Sequence, residues 1–333
     1  MMPLCKELNK RGISVPKSRL RKWILRILFI LISLILLFFL VFIPLFVTHF
    51  MTHAGSRPMD LRITTTPQDL GAPFQDIIFP SKTPDVHDSL QISAWYMPHE
   101  NPKGLIIYSH GLFRSRQEVL QRAVDLWHSG YAGLLLDFRR HGKSGDGKTS
   151  MGYLERQDVL GAIAYAKDSL NLQIPIVTYG VSMGAAATLL ANSESTQVDA
   201  IIIDSSFRSF DHTVSHHLKL WLGWPRFPIG SIITVLAKWR IGFTDEQFDM
   251  RVAIDKIGAR PIFVIAGEAD TRMPPEIAEE LYSHCQGEKQ LYIVPDARHG
   301  RAYEVDPTGF VERVDRFLTR VTKLPANNSS TGM

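Results

Sequence analysis

The sequence predicts one α/β domain on a mostly parallel sheet, carried by one N-terminal transmembrane helix. Three observations predict it. Beyond about residue 73, short apolar β-rich runs alternate with helical patterns, as a parallel sheet with crossover helices requires. Ile27 to Val47 is apolar except for Ser33 and Pro44, about the length that crosses a bilayer. The stretch Gly180-Val181-Ser182-Met183-Gly184 lies between a strand pattern, IPIVTY, and a helix pattern, MGAAATLLA. Composition agrees with a folded domain. Of 333 residues, 45% are apolar and 21% charged, which excludes a disordered chain, and two cysteines exclude a disulfide scaffold.

The chain carries a net charge of +4. Eight of its 37 basic residues (Lys6, Lys10, Arg11, Lys17, Arg19, Arg21, Lys22 and Arg26) and one of its 33 acids, Glu7, fall in residues 1–26. That leaves 29 basic against 32 acidic residues beyond. The main domain is therefore mildly acidic, and nucleic-acid binding loses its electrostatic basis. The basic run fits a cytoplasmic segment (1–26) before a transmembrane signal anchor (27–47). A cleavable signal peptide is the rival, with Thr52 and Ala54 before Gly55, but its apolar core is typically about 7–15 residues. The positive-inside rule then places everything after about residue 48 on the extracytoplasmic side. Cys5 and Cys285 fall on opposite faces and cannot pair. No sustained periodicity marks 48–72, which reads as a linker.

The folded domain is expected over 73–324. Strands are expected at Asp76–Pro80, Leu90–Met97, Leu105–Ser109, Ala132–Phe138, Ile174–Tyr179, Ala200–Asp204, Ile262–Ala266 and Gln290–Val294. Helices are expected at Arg116–Ser129, Gly152–Leu170, Met183–Ser193, Pro274–Cys285 and Pro307–Val321. About 208–260 interrupts the alternation and holds three of the six Trp residues (Trp221, Trp224, Trp239) with Phe227, Phe243 and Phe248, so it reads as a helical lid insertion. Residues 325–333 read as a flexible tail. It contains overlapping sequons at Asn327 and Asn328, which matter only in a glycosylating compartment.

A serine on a sharp strand-to-helix turn takes a strained backbone, and flanking glycines let neighbouring chain pack against it. Ser182 is therefore the expected nucleophile. Its hydroxyl needs a base, and His299 follows the last expected strand, at the carboxyl edge where parallel sheets place their sites. A carboxylate must orient that imidazole. Asp270 ends IFVIAGEAD just past a strand, with Glu268 as nearest substitute and Asp204 as a second candidate. The oxyanion donors expected are the N–H of Met183 and one from His110-Gly111-Leu112-Phe113: Leu112, with Phe113 as the alternative. His110 is expected to order that loop.

The order Ser182, Asp270, His299 and the motifs SHGLF, DFRRHGKS (137–144), GVSMG, AGEAD with MPPE, and ARHG resemble the α/β-hydrolase superfamily. More narrowly, from about 73 to 321 they resemble membrane-anchored ABHD-type and serine-aminopeptidase-like serine hydrolases. The resemblance implies an α/β-hydrolase fold with an eight-stranded, mostly parallel sheet, cleavage of esters, thioesters or amides through an acyl-serine, and no cofactor or metal. One departure is Arg140, where the family's D-x-R-G-x-G-x-S loop has glycine.

His212, His216 and His217 share helical spacing in the lid, but no fourth ligand accompanies them, and a solvated face is the expectation. The expected substrate is a small-molecule or lipid-like ester, read from the aromatic lid and the adjoining bilayer. Amide cleavage, acyl transfer and a non-catalytic binding protein are the alternatives.

Overall fold

The computed structural model describes residues 17–62, 64–82 and 90–322. Cys5, most of the basic segment, the tail and its sequons lie outside them. Eight strands form one sheet: β1 (Gln75–Pro80), β2 (Gln91–Met97), β3 (Leu105–Ser109), β4 (Ala132–Leu136), β5 (Ile176–Val181), β6 (Ala200–Asp204), β7 (Ile262–Gly267) and β8 (Lys289–Val294). Their spatial order is β1-β2-β4-β3-β5-β6-β7-β8. β2 runs antiparallel to both its neighbours, β1 and β4, and the remaining pairs are parallel. All eight expected strands are present, with ends shifted by up to two residues.

The central strands are buried on both faces, which explains their unbroken apolar runs, LIIYS in β3 and AIIID in β6. Helices Leu120–His128 and Pro307–Thr322 cover one face; Arg156–Asp168, Met183–Glu194, Met250–Ile257 and Pro275–His284 cover the other. Pro307–Thr322 shows why. Phe310, Val314, Phe317, Leu318 and Val321 form one apolar stripe, and all are buried. Expected helix Arg116–Ser129 starts with a 3₁₀ turn, Arg116–Val119.

The apolar run 27–47 lies inside a longer helical stretch made of Lys17–Leu37, a π-turn at Phe38–Phe42, and Ile43–Thr52. Pro44 does not stop it, because Pro44 stands at the start of the last stretch, where the π-turn relieves its missing N–H and ring clash. The run Ser18–Thr52 is long and apolar enough to cross a membrane.

The linker assigned to 48–72 is docked on the domain. Ala54 N–H donates to Thr149 Oγ1 at 3.0 Å, Arg57 N–H to Phe113 C=O at 2.9 Å, and Asp60 pairs with Arg114 at 3.3 Å. Ser56 Oγ donates to Arg114 C=O at 2.5 Å and accepts from Gly142 N–H at 2.9 Å. Polar side chains aimed at specific loop carbonyls leave no periodic signal, so the sequence reads as unstructured.

Between β6 and β7 lie helices Phe210–Leu222, Ser231–Ile241 and Met250–Ile257. Ser231–Ile241 packs on Ile43–Thr52, and the rings of Trp224 and Phe39 meet at 5.6 Å.

Candidate active site

β5 runs through Gly180 and Val181 directly into Ser182, which adopts φ +54° and ψ −113° before helix Met183–Glu194 begins. Close approach dictates the glycines. A Cβ on Gly180 would stand 2.3 Å from Gly184 O, and one on Gly184 would stand 2.3 Å from Ser109 O. Ser182 N–H donates to Asp204 C=O at 2.8 Å, so the elbow is tied to β6.

The loops after β7 and β8 bring Asp270 and His299 to that elbow. His299 Nε2 lies 2.8 Å from Ser182 Oγ, and His299 Nδ1 lies 2.7 Å from Asp270 Oδ2. Asp270 is buried, and its Oδ1 accepts the N–H groups of Arg272 and Met273 at 2.9 Å each. A carboxylate accepting at Nδ1 places the imidazole proton there and leaves Nε2 free to accept from the hydroxyl. Of the other acids, Glu268 is exposed. Asp204 is buried against Tyr179, Ser205 and Arg122 at 3.1, 2.9 and 3.4 Å, and burial raises its pKa. It reaches the histidine loop only indirectly: Ser205 Oγ accepts Gly300 N–H at 3.0 Å.

A cavity of about 130 Å³ opens over Ser182 and is lined in part by Leu112. Phe113 instead takes φ +64°, its ring meeting Phe50 at 5.4 Å. Gly111 N–H is occupied by Glu118 Oε2 at 2.6 Å. Met183 is the first residue of its helix, so its N–H has no intrahelical acceptor. Leu112 and Met183 thus both adjoin Ser182. His110 is fully buried; its Nε2 accepts Phe138 N–H at 3.1 Å, its Nδ1 donates to Gly111 C=O at 2.7 Å, and burial lowers its pKa to about 3. It stays neutral and braces the loop.

Arg140 takes φ +60°, the left-handed conformation for which glycine is usual, with its guanidinium on Asp146. Cys285 is buried, and burial pushes its thiol up to about 11, a poor nucleophile.

The lid aromatics do not line the cavity. Phe210, Phe243 and Phe248 pack with Tyr153 and Phe207, while Trp221, Phe227 and Trp239 are exposed. His216 Nε2 lies 2.9 Å from Thr271 O, and His217 stands edge-on to Trp221. The lining that sequence reading missed is polar: Arg57, Arg114, Glu118, Arg272 and Arg301. Only Arg114 and Glu118 share a segment, the others come from separate ones, and no local pattern marks them.

The family described as serine aminopeptidase, S33, matches residues 100–239. The uncharacterized protein YqkD of Bacillus subtilis (strain 168) is 30% identical over 223 residues, covering 66% of this chain and 72% of that protein. YfhR of Escherichia coli (strain K12) is 24% identical, covering 65% and 72%. Among solved structures, the Pyrococcus furiosus esterase Pf2001 superposes with a TM-score of 0.65 at 25% identity, over 81% of this chain and 98% of that one. Est1E of Butyrivibrio proteoclasticus, solved with ferulic acid, shares the fold at 0.57 and 20% identity, over 74% and 99%. The chain belongs to the α/β-hydrolase superfamily, within its serine aminopeptidase-like family.

Proposed function

We propose that this hydrolase is a membrane-anchored serine esterase that works through an acyl-serine. The observation that carries the reading is the relay Asp270–His299–Ser182 on a strained elbow at the floor of a cavity. Ser182 Oγ attacks the ester carbonyl while its proton passes to His299 Nε2, and the N–H groups of Leu112 and Met183 receive the oxyanion. His299 then protonates the departing alkoxide. Water attacks the acyl-serine with its proton passing to His299, which returns it to Ser182 as the acid leaves. Asp270 holds the tautomer and stabilises the imidazolium.

Likeness to a solved esterase supports an ester substrate. The cavity's charge argues against aminopeptidase action, because an incoming ammonium would face arginines, and the lining Glu118 is already bound to Arg114 and Gly111. The exposed apolar surface of Lys17–Thr52 supports the anchor, and the basic residues before it support an extracytoplasmic domain. The full-length protein in detergent should label with a neutral fluorophosphonate and hydrolyse p-nitrophenyl butyrate. Ser182→Ala should do neither above background. A folded wild type that does not label removes the serine mechanism.

A further inference from the structure

The cavity over Ser182 carries more positive charge than the relay needs. Of its four arginines, two are already paired: Arg114 with Asp60 and Glu118 at 3.3 and 3.1 Å, and Arg301 with Glu304 at 3.1 Å. Arg57 and Arg272 form no contact ion pair among the described residues. Arg272 is half-buried, and its Nε is wholly buried without a hydrogen-bond acceptor. Burial lowers the Arg272 pKa; the nearby Asp270 and Glu118 offset part of that, and the Arg57 charge adds repulsion. A desolvated donor beside a second cation is costly unless an anion joins them.

Both arginines line the cavity over Ser182, Arg57 from an exposed position. Arg57 is tied by its N–H to Phe113 C=O and rests over the Phe113 ring, 5.9 Å from its centroid, next to Leu112. Arg272 follows Asp270, whose Oδ1 holds its N–H at 2.9 Å. One therefore stands against the oxyanion loop and the other belongs to the loop of the acid.

Resting on the serine-esterase reading, we infer that the enzyme's substrates are short esters bearing an anionic group, carboxylate or phosphate, which Arg57 and Arg272 grip beside the scissile carbonyl. A guanidinium offers paired donors to either oxyanion. The small, polar cavity displaces the apolar acyl chain expected from the lid aromatics. The segment after the anchor thus becomes part of the substrate site, because it supplies Arg57.

Two arms test this with the full-length protein in detergent. For carboxylate on the acyl side, kcat/KM is measured for p-nitrophenyl hemiglutarate and its neutral length match, p-nitrophenyl hexanoate. For phosphate on the alcohol side, butyrate release is followed from butyryl glycerol 3-phosphate and from monobutyrin. In at least one arm the anionic ester should be favoured by about tenfold or more, the scale of one charge-assisted hydrogen bond, and mainly through KM. The favoured arm shows which side of the ester bears the charge.

Arg272→Gln and Arg57→Gln should each lower that ratio by about tenfold, with Arg272→Lys retaining most of it. A merely structural role would lower anionic and neutral rates together. An unchanged ratio in both Gln variants, or no anionic preference by the wild type in either arm, overturns the proposal. Fluorophosphonate labelling separates the two readings. A labelled wild type without anionic preference removes only the anion site, whereas an unlabelled, inactive wild type removes the serine mechanism beneath it.

Discussion

Ser182 holds a backbone conformation that costs a non-glycine residue about 1–3 kcal/mol, maintained by β5, the following helix and a hydrogen bond to β6. The price is met because Gly180 and Gly184 admit backbone where a Cβ would collide. Gly184→Ala should therefore destabilise the fold by about 1–3 kcal/mol or more, read as a lower thermal midpoint. Asp270→Asn should fold normally and lower kcat by about 10⁴-fold, because the amide stabilises the wrong imidazole tautomer; a loss under tenfold would move the role to another acid. The elbow is legible because one local motif carries both its strain and its chemistry. Asp270, Glu268 and Asp204 are less separable in sequence, since each follows a strand. Burial distinguishes them: Glu268 faces solvent and Asp204 is engaged elsewhere.

Among the elements, β6 does more than complete the sheet. Through Asp204 it links Arg122 and Tyr179 to Ser205, and Ser205 holds Gly300 beside His299. Arg122 and Asp204 are both almost fully buried. Arg122→Met should cost about 3–5 kcal/mol in denaturant unfolding by leaving Asp204 without its cation, and Arg122→Met with Asp204→Leu should cost less than the two single changes summed. Additive costs would show that the two charges are not coupled. The loop after β3 depends on His110 staying neutral. Its pKa, lowered from 6.5 to about 3 by burial, means that the unfolded chain binds the extra proton between those values. Its contribution to stability is complete above pH 6.5 and is lost as pH falls toward 3, at up to about 1.4 kcal/mol per pH unit. Unfolding free energies at pH 7, 5.5 and 4 should show this fall, and His110→Asn should flatten it.

For the whole molecule, the net charge of +4 describes no single surface. It combines a strongly basic N-terminal segment with a mildly acidic domain. The lid and the end of the long helix pack together, so exposed Trp221, Phe227 and Trp239 belong to the part of the domain nearest the apolar run. At a bilayer surface, exposed aromatics favour the headgroup region. In vesicles, tryptophan fluorescence should be quenched by lipids brominated near the headgroup, and Trp239→Ser should weaken the quenching; equal quenching in the variant would place Trp239 in water. A reporter fused after residue 333 should be active outside the cytoplasm, and a cytoplasmic signal would overturn the orientation.

Periodicity and tight turns are local consequences of side-chain chemistry, so the class of sheet, its eight strands, the apolar helix and the elbow are legible along the chain. The sequence also carries the order Ser182, Asp270, His299. The tertiary arrangement alone docks residues 48–72 on the domain, turns the lid aromatics away from Ser182, and brings Arg57 and Arg272 into the lining of the cavity over it. Those outcomes depend on loops distant in sequence converging at one sheet edge, where isolated polar side chains meet without repeating along the chain.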